Sequence, residues 1–158
     1  MPERRVEPSD RVSSLSIEVF CHATESVDKV KSAVQNILPR DFKAEFKSET
    51  LTGHHGNPIT ILRLRVRDPK VAALVLKKIA ENLTDFDRDF LLSRIDLHVD
   101  STGSFYMRLD KQEAFKGKIT LGLGDDIIKL KFNIRLKKGD AIEFLRSVFE
   151  SGVNGNLR

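Results

Sequence analysis

Between Ile128 and Lys137 apolar and polar residues alternate without a break. Ile128, Leu130, Phe132, Ile134 and Leu136 interleave with Lys129, Lys131, Asn133, Arg135 and Lys137. A repeat of two residues fits only a strand, because successive strand side chains point to opposite sides. The same repeat sets Leu62, Leu64 and Val66 against Arg63, Arg65 and Arg67, and neither stretch contains an acidic residue. A parallel sheet covered by helices on both sides reads instead as near-continuous apolar runs, and a helical bundle repeats at 3.6 residues. The pattern therefore demands a sheet with one buried and one wet face, the wet face rich in cations.

The rest of the chain supplies the cover. Leu15, Ile17, Val19 and Cys21 predict a first strand, and Val27, Val30, Val34, Ile37 and Leu38 then predict a helix stopped by Pro39. Phe42, Ala44 and Phe46 predict a second strand, ending at the turn-rich Gly53-His54-His55-Gly56-Asn57-Pro58, with the arginine strand after it. Asp68-Pro69 opens a second helix through Val71, Leu74, Val75, Lys78, Ile79 and Leu83. Thr84 to Asp87 resembles a capping box for a short helix with Phe86, Phe90 and Leu91. Ile95, Leu97 and Val99 predict a hairpin with Phe105, Met107 and Leu109. Ile119, Leu121 and Leu123 predict another, through Gly124-Asp125-Asp126, with the lysine strand. Gly139-Asp140 starts a final helix with Ile142, Leu145, Val148 and Phe149 inward, closed by Gly152. The expected fold is α+β: a largely antiparallel sheet with helices packed on one face. Residues 1–13 read as a mobile arm, 14–152 as a single domain and 153–158 as a frayed tail.

Composition narrows the setting. At 158 residues the chain suits one core. Its single cysteine, Cys21, permits no internal disulfide, which fits a reducing cytoplasm. The opening residues lack the apolar run of a secretory signal, and no stretch reaches the length of a membrane span. Lys and Arg number 27 against 23 Asp and Glu, a net charge of +4 that biases the chain toward polyanions.

Three clusters could carry function. Arg63, Arg65 and Arg67 with Lys129, Lys131 and Arg135 would track a phosphate backbone if both strands share a sheet and point the same way. The competing reading is that alternating Lys and Arg solvate an amphipathic strand or keep sheet edges apart. In the loop 52–58, His54, His55 and Asn57 offer hydrogen bonds and rings beside two glycines, though hairpin loops attract the same residues. Tyr106 projects with Arg108 beside Lys111 and could stack on an unpaired base, or pack half-buried beside an ion pair. Adjacent histidines without a further spaced ligand do not make a zinc site, so neither metal nor cofactor is expected. A nuclease would need Asp96, Asp100 and Asp110 to converge on a metal. Cys21 and His22, neighbours on opposite strand faces, cannot form a catalytic dyad, and Gly122-Leu123-Gly124 precedes no helix.

Three segments together carry a family resemblance: His22-Ala23-Thr24-Glu25, Leu51-Thr52-Gly53-His54-His55-Gly56-Asn57-Pro58-Ile59 and Phe105-Tyr106-Met107-Arg108-Leu109-Asp110-Lys111-Gln112. Over residues 15 to about 136 the chain resembles the archaeal RNA-binding proteins predicted to be exosome subunits. The resemblance implies a fold similar to the ribosomal protein that binds 5S RNA, a role in RNA processing, and no catalytic residues. The expected function is a non-catalytic RNA-binding protein with RNA as partner, exosome or ribosome-related proteins as further partners, and a homodimer as a possible state. The alternative is a subunit that docks other proteins, or its own copy, through Phe144 and Val148 on the final helix without touching RNA.

Overall fold

A computed structural model of the chain describes residues 11–52 and 56–156. Five strands, β1 (Val12–His22), β2 (Lys47–Thr52), β3 (Pro58–Val66), β4 (Phe105–Asp110) and β5 (Ile127–Ile134), form one sheet in the order β2-β3-β1-β5-β4, every pair antiparallel. The helices are α1 (Val27–Gln35), α2 (Pro69–Asn82), α3 (Asp85–Ser93), α4 (Lys111–Phe115) and α5 (Lys138–Asn156). The architecture is the α+β arrangement that the alternation requires.

Local chemistry starts the first four helices. Ser26, Asp68, Thr84 and Asp110 accept hydrogen bonds from the backbone N–H groups of Lys29, Lys70, Asp87 and Glu113, satisfying donors that a first helical turn leaves free. The end of α2 is closed by Arg88 of α3, whose side chain is buried and donates to the carbonyls of Ala80 and Leu83.

The odd-numbered residues of β1, Leu15 to Cys21, are buried under the helices with Leu62, Leu64, Leu130 and Phe132. Phe105 of β4 stacks on Phe132 at 6.0 Å, and Phe149 of α5 meets Phe105 edge-on at 6.0 Å, locking the last helix onto the sheet. Cys21 lies in this core, and burial raises its thiol pKa, helped by the Glu25 carboxylate and opposed by Lys111. It is a packed thiol.

Several expectations need correcting. The strand expected at 42–46 begins only at Lys47, while Phe42, Ala44 and Phe46 pack irregularly against the core. Residues 95–98 form a 3-10 turn instead of a strand, leaving one bridge between Val99 and Phe105. The segment 119–123 does not pair with β5, because β5 is enclosed between β1 and β4. It lies along the outer edge of β4 instead, with Leu121 bridged to Leu109, the Asp110 N–H donating to Thr120 and the Gly122 N–H to Arg108. β1 begins at Val12, inside the stretch read as an arm, and Val12 is fully buried. α5 continues past Gly152 to Asn156. On α2 the buried set runs through Ala72, Ala73, Val75, Leu76, Ile79 and Ala80, so Leu74 faces solvent.

Candidate nucleic-acid interface

The two cationic strands flank β1, and register brings their charges onto the helix-free face. Glu18 is the partner of both Arg63 and Lys129, and Lys47 and Arg108 extend that row to both edges. One step along the strands, Ser16 is the partner of both Arg65 and Lys131, and Tyr106 stands next to Lys131. Two strand spacings separate Arg65 from Lys131, about 10 Å between backbones. Arg67 and Arg135 follow at the ends of β3 and β5, exposed. The Lys131 ammonium lies 5.7 Å from the Tyr106 ring centroid, a distance at which the ring holds the cation on the sheet surface.

These cations are not equivalent. Arg63 donates from Nη1 to Glu49 at 2.7 Å and from Nε to Glu18 at 3.1 Å. The hydrogen bond to Glu49, followed by that to Glu18, raises its pKa. Although the two cationic strands hold no acid, the strands beside them supply these two carboxylates, and Arg63 is thereby compensated. Arg65, Lys129 and Arg135 enter no ion pair shorter than 4 Å among the described residues.

Lys111, read as a surface contact, is buried. Its ammonium donates to the Phe20 carbonyl at 2.8 Å and to Glu25 at 2.8 Å, and pairs with Asp126 at 2.9 Å. Burial pulls its pKa down, but the two carboxylates outweigh that and leave it raised. Asp126 is lowered: burial would raise it, and the bonds to Lys111 and Gln112 prevail. Lys111 is thus a structural tie joining the end of β1, the start of α4 and the 124–126 turn.

Tyr106 is half-exposed, its hydroxyl donating to Asp100 at 3.0 Å. Asp100 also accepts from the Thr102 hydroxyl and from the backbone N–H groups of Thr102 and Ser104. Led by the Thr102 hydroxyl, these bonds pull its pKa down to about 2. Asn133 spends its amide on Ser14 and Ser104. Asn57 is exposed next to the start of β3, and His54 and His55 lie outside the described residues. With Asp110 capping α4 and Asp100 holding its turn, two of the three carboxylates considered for a nuclease have structural duties. Among the described residues no group of three or more His, Cys, Asp and Glu gathers that could hold a metal. Phe144 and Val148, considered as a docking patch, pack against the core and are only partly exposed. No helix among the described residues is long and apolar enough to cross a membrane.

Sequence reasoning missed one feature of this face. Phe20 and Ile61 are register partners on the wet side of the sheet, and the β1–β5 register carried one step further sets Ile127 beside Phe20. Together with Ile59 they make an apolar island outside the main core, and Phe20, Ile59 and Ile127 line a depression of about 380 Å³ with Arg108 and Lys129. The signal was available: Phe20 occupies a solvent-side position of the first strand, where the alternation calls for a polar residue.

Comparison with known proteins follows the same outline. A family model described as RNA binding matches residues 14–134, from the first strand to the end of the last. The chain belongs to this RNA-binding family. The chain is 29% identical over 143 residues to the RNA-binding protein PAB1135 of Pyrococcus abyssi, covering 87% of this chain and 93% of that one. It is 32% identical over 129 residues to the uncharacterized protein MJ0213 of Methanocaldococcus jannaschii, covering 79% and 86%. Among solved structures it is similar to Mth689, a DUF54 protein from Methanothermobacter thermautotrophicus, with a TM-score of 0.75 and 29% identity over 89% of this chain and 99% of that chain.

Proposed function

We propose that this chain binds RNA directly and without catalysis, through the helix-free face of its sheet. The observation that carries the reading is the row Arg65, Ser16, Lys131 and Tyr106: two cations on either side of a small hydroxyl residue, with an aromatic ring next in line. Arg67 and Arg135 continue the positive strip, and Lys129 and Arg108 widen it. Guanidinium and ammonium groups at strand spacing suit a phosphate backbone, where Arg adds forked hydrogen bonds and stacking. Membership of an RNA-binding family and the name of the Pyrococcus relative, an RNA-binding protein, support the same reading. Within it, the finer role is that of a cytoplasmic accessory factor in RNA processing that works with the archaeal exosome, which rests on the resemblance of the three sequence segments.

The test is a filter-binding titration of single-stranded RNA at increasing salt. If about five phosphates are met, log affinity falls with log salt at a slope of about 3.5 in magnitude. An affinity indifferent to salt, or none at all, would overturn the proposal.

A further inference from the structure

We infer that the depression around Phe20 is a seat for one unpaired RNA base, with the charged strip carrying the backbone on either side. This rests on the RNA-binding reading above and names the form of RNA it selects. The wet face of β1 is otherwise Ser14, Ser16, Glu18 and His22, so an aromatic there serves no core. Phe20 and Ile127 supply a flat apolar floor, Arg108 and Lys129 a cationic rim, and Glu18 and His22 hydrogen-bonding groups beside it. The Lys129 ammonium lies over the Phe20 ring, 5.5 Å from its centroid, so it must swing aside for a base to stack, and a phosphate drawn to it would bring its own base onto the face it vacates.

The combination fits a nucleotide better than it fits a simple anion. An anion site has no use for an apolar floor, and Glu18, whose Oε2 is held by Arg63, keeps its other oxygen to accept from an exocyclic amino group. A duplex hides its base faces in the stack, so only an unpaired base can use the ring. The volume, about 380 Å³, sits at the lower end of ordinary ligand pockets and suits a single nucleotide. Two further features support the seat. Each of the three segments that carried the family resemblance contributes a lining residue, in His22, Ile59 and Arg108. Buried Lys111 fixes the rim by tying the Phe20 carbonyl and Glu25 to Asp126, next to lining residues Asp125 and Ile127.

The experiment compares a base-bearing single-stranded RNA with a wholly abasic strand of the same length and charge, and with an RNA duplex, by fluorescence anisotropy on the full chain. The wild type should prefer the base-bearing strand by about tenfold or more, the scale of one base–aromatic stack, and should bind the duplex more weakly. In Phe20→Leu, which keeps the floor apolar, that preference should collapse, the larger loss falling on the base-bearing strand; Phe20→Tyr should retain it. Equal wild-type affinity for the two strands would overturn the seat and leave the charged strip standing, and that comparison needs no variant to fold. A normal preference in a folded Phe20→Leu would also overturn it. If neither strand binds, the RNA-binding reading falls and the seat falls with it.

Discussion

Arg65 and Lys131 are both register partners of Ser16, so two cations far apart in sequence stand on either side of one hydroxyl residue in the middle of the sheet. That relationship turns two separate charge patterns into one surface. It also ranks the cations, since Arg63, one row away, already has two carboxylates.

The ranking is measurable. Arg65→Ala and Lys131→Ala should each reduce the magnitude of the salt slope for single-stranded RNA by about 0.7, the share of one phosphate contact. Arg63→Ala should change the slope less, because its guanidinium is engaged by Glu18 and Glu49. Equal changes from all three in salt titrations would contradict the ranking.

Lys111→Met should destabilise the fold by about 2 kcal/mol in denaturant titrations. This lies below the usual cost of breaking a buried pair, because the Asp126 side chain is half-exposed and can rehydrate. The difference between wild type and variant should depend on pH at both ends. Asp126 is held below its ordinary 3.8, so its contribution is present above that value and lost as pH falls through the folded pKa. Lys111 is raised above 10.5, so its contribution is present below that value and lost as pH rises through the folded pKa. Between these limits the difference should be flat.

Two glycines should respond oppositely to alanine in thermal unfolding. A Cβ at Gly122 would come within 2.6 Å of the Ile127 side chain and 2.8 Å of the Asp110 nitrogen, where the 119–123 segment presses on β4. Gly122→Ala should therefore cost about 1–3 kcal/mol. Gly139, in the first turn of α5, has nothing within 4 Å of such a Cβ. Gly139→Ala should stabilise by about 0.4–1 kcal/mol, by restricting the unfolded chain.

An NMR titration of Asp100 should give a midpoint of about 2. The turn it organises therefore contributes stability above the ordinary 3.8 and loses that contribution as pH falls towards 2. A midpoint near 3.8 would mean that Thr102, Ser104 and Tyr106 do not hold the carboxylate in solution.

Where the chain alternates strictly, the sequence reading and the structure agree. Residues 62–66 and 128–134 are strands, with their arginines and lysines turned to solvent. The reading failed where alternation was short or where two edges competed for one segment. Ile95, Leu97 and Val99 have the parity of a strand, yet the chain there curls into a 3-10 turn that leaves Leu97 exposed. Proximity in sequence points Leu121 to β5, but β5 has both edges taken, and β4, at the margin of the sheet beside it, offers a free one. Lys111 looked like any other surface lysine, because nothing local announces that Glu25 and Asp126 will meet it.

The sequence by itself determined which side chains of each long strand are buried and which face water, because a strand's period of two leaves no choice once its apolar set must leave the solvent. Only the tertiary structure decided that β1 lies between the arginine and lysine strands, that Glu18 compensates Arg63 but not Arg65, and that Phe20 gathers isoleucines into an apolar island. Strand order and register are settled by pairing among residues distant along the chain, whose free energies depend on every other strand in the sheet, and no local pattern encodes them.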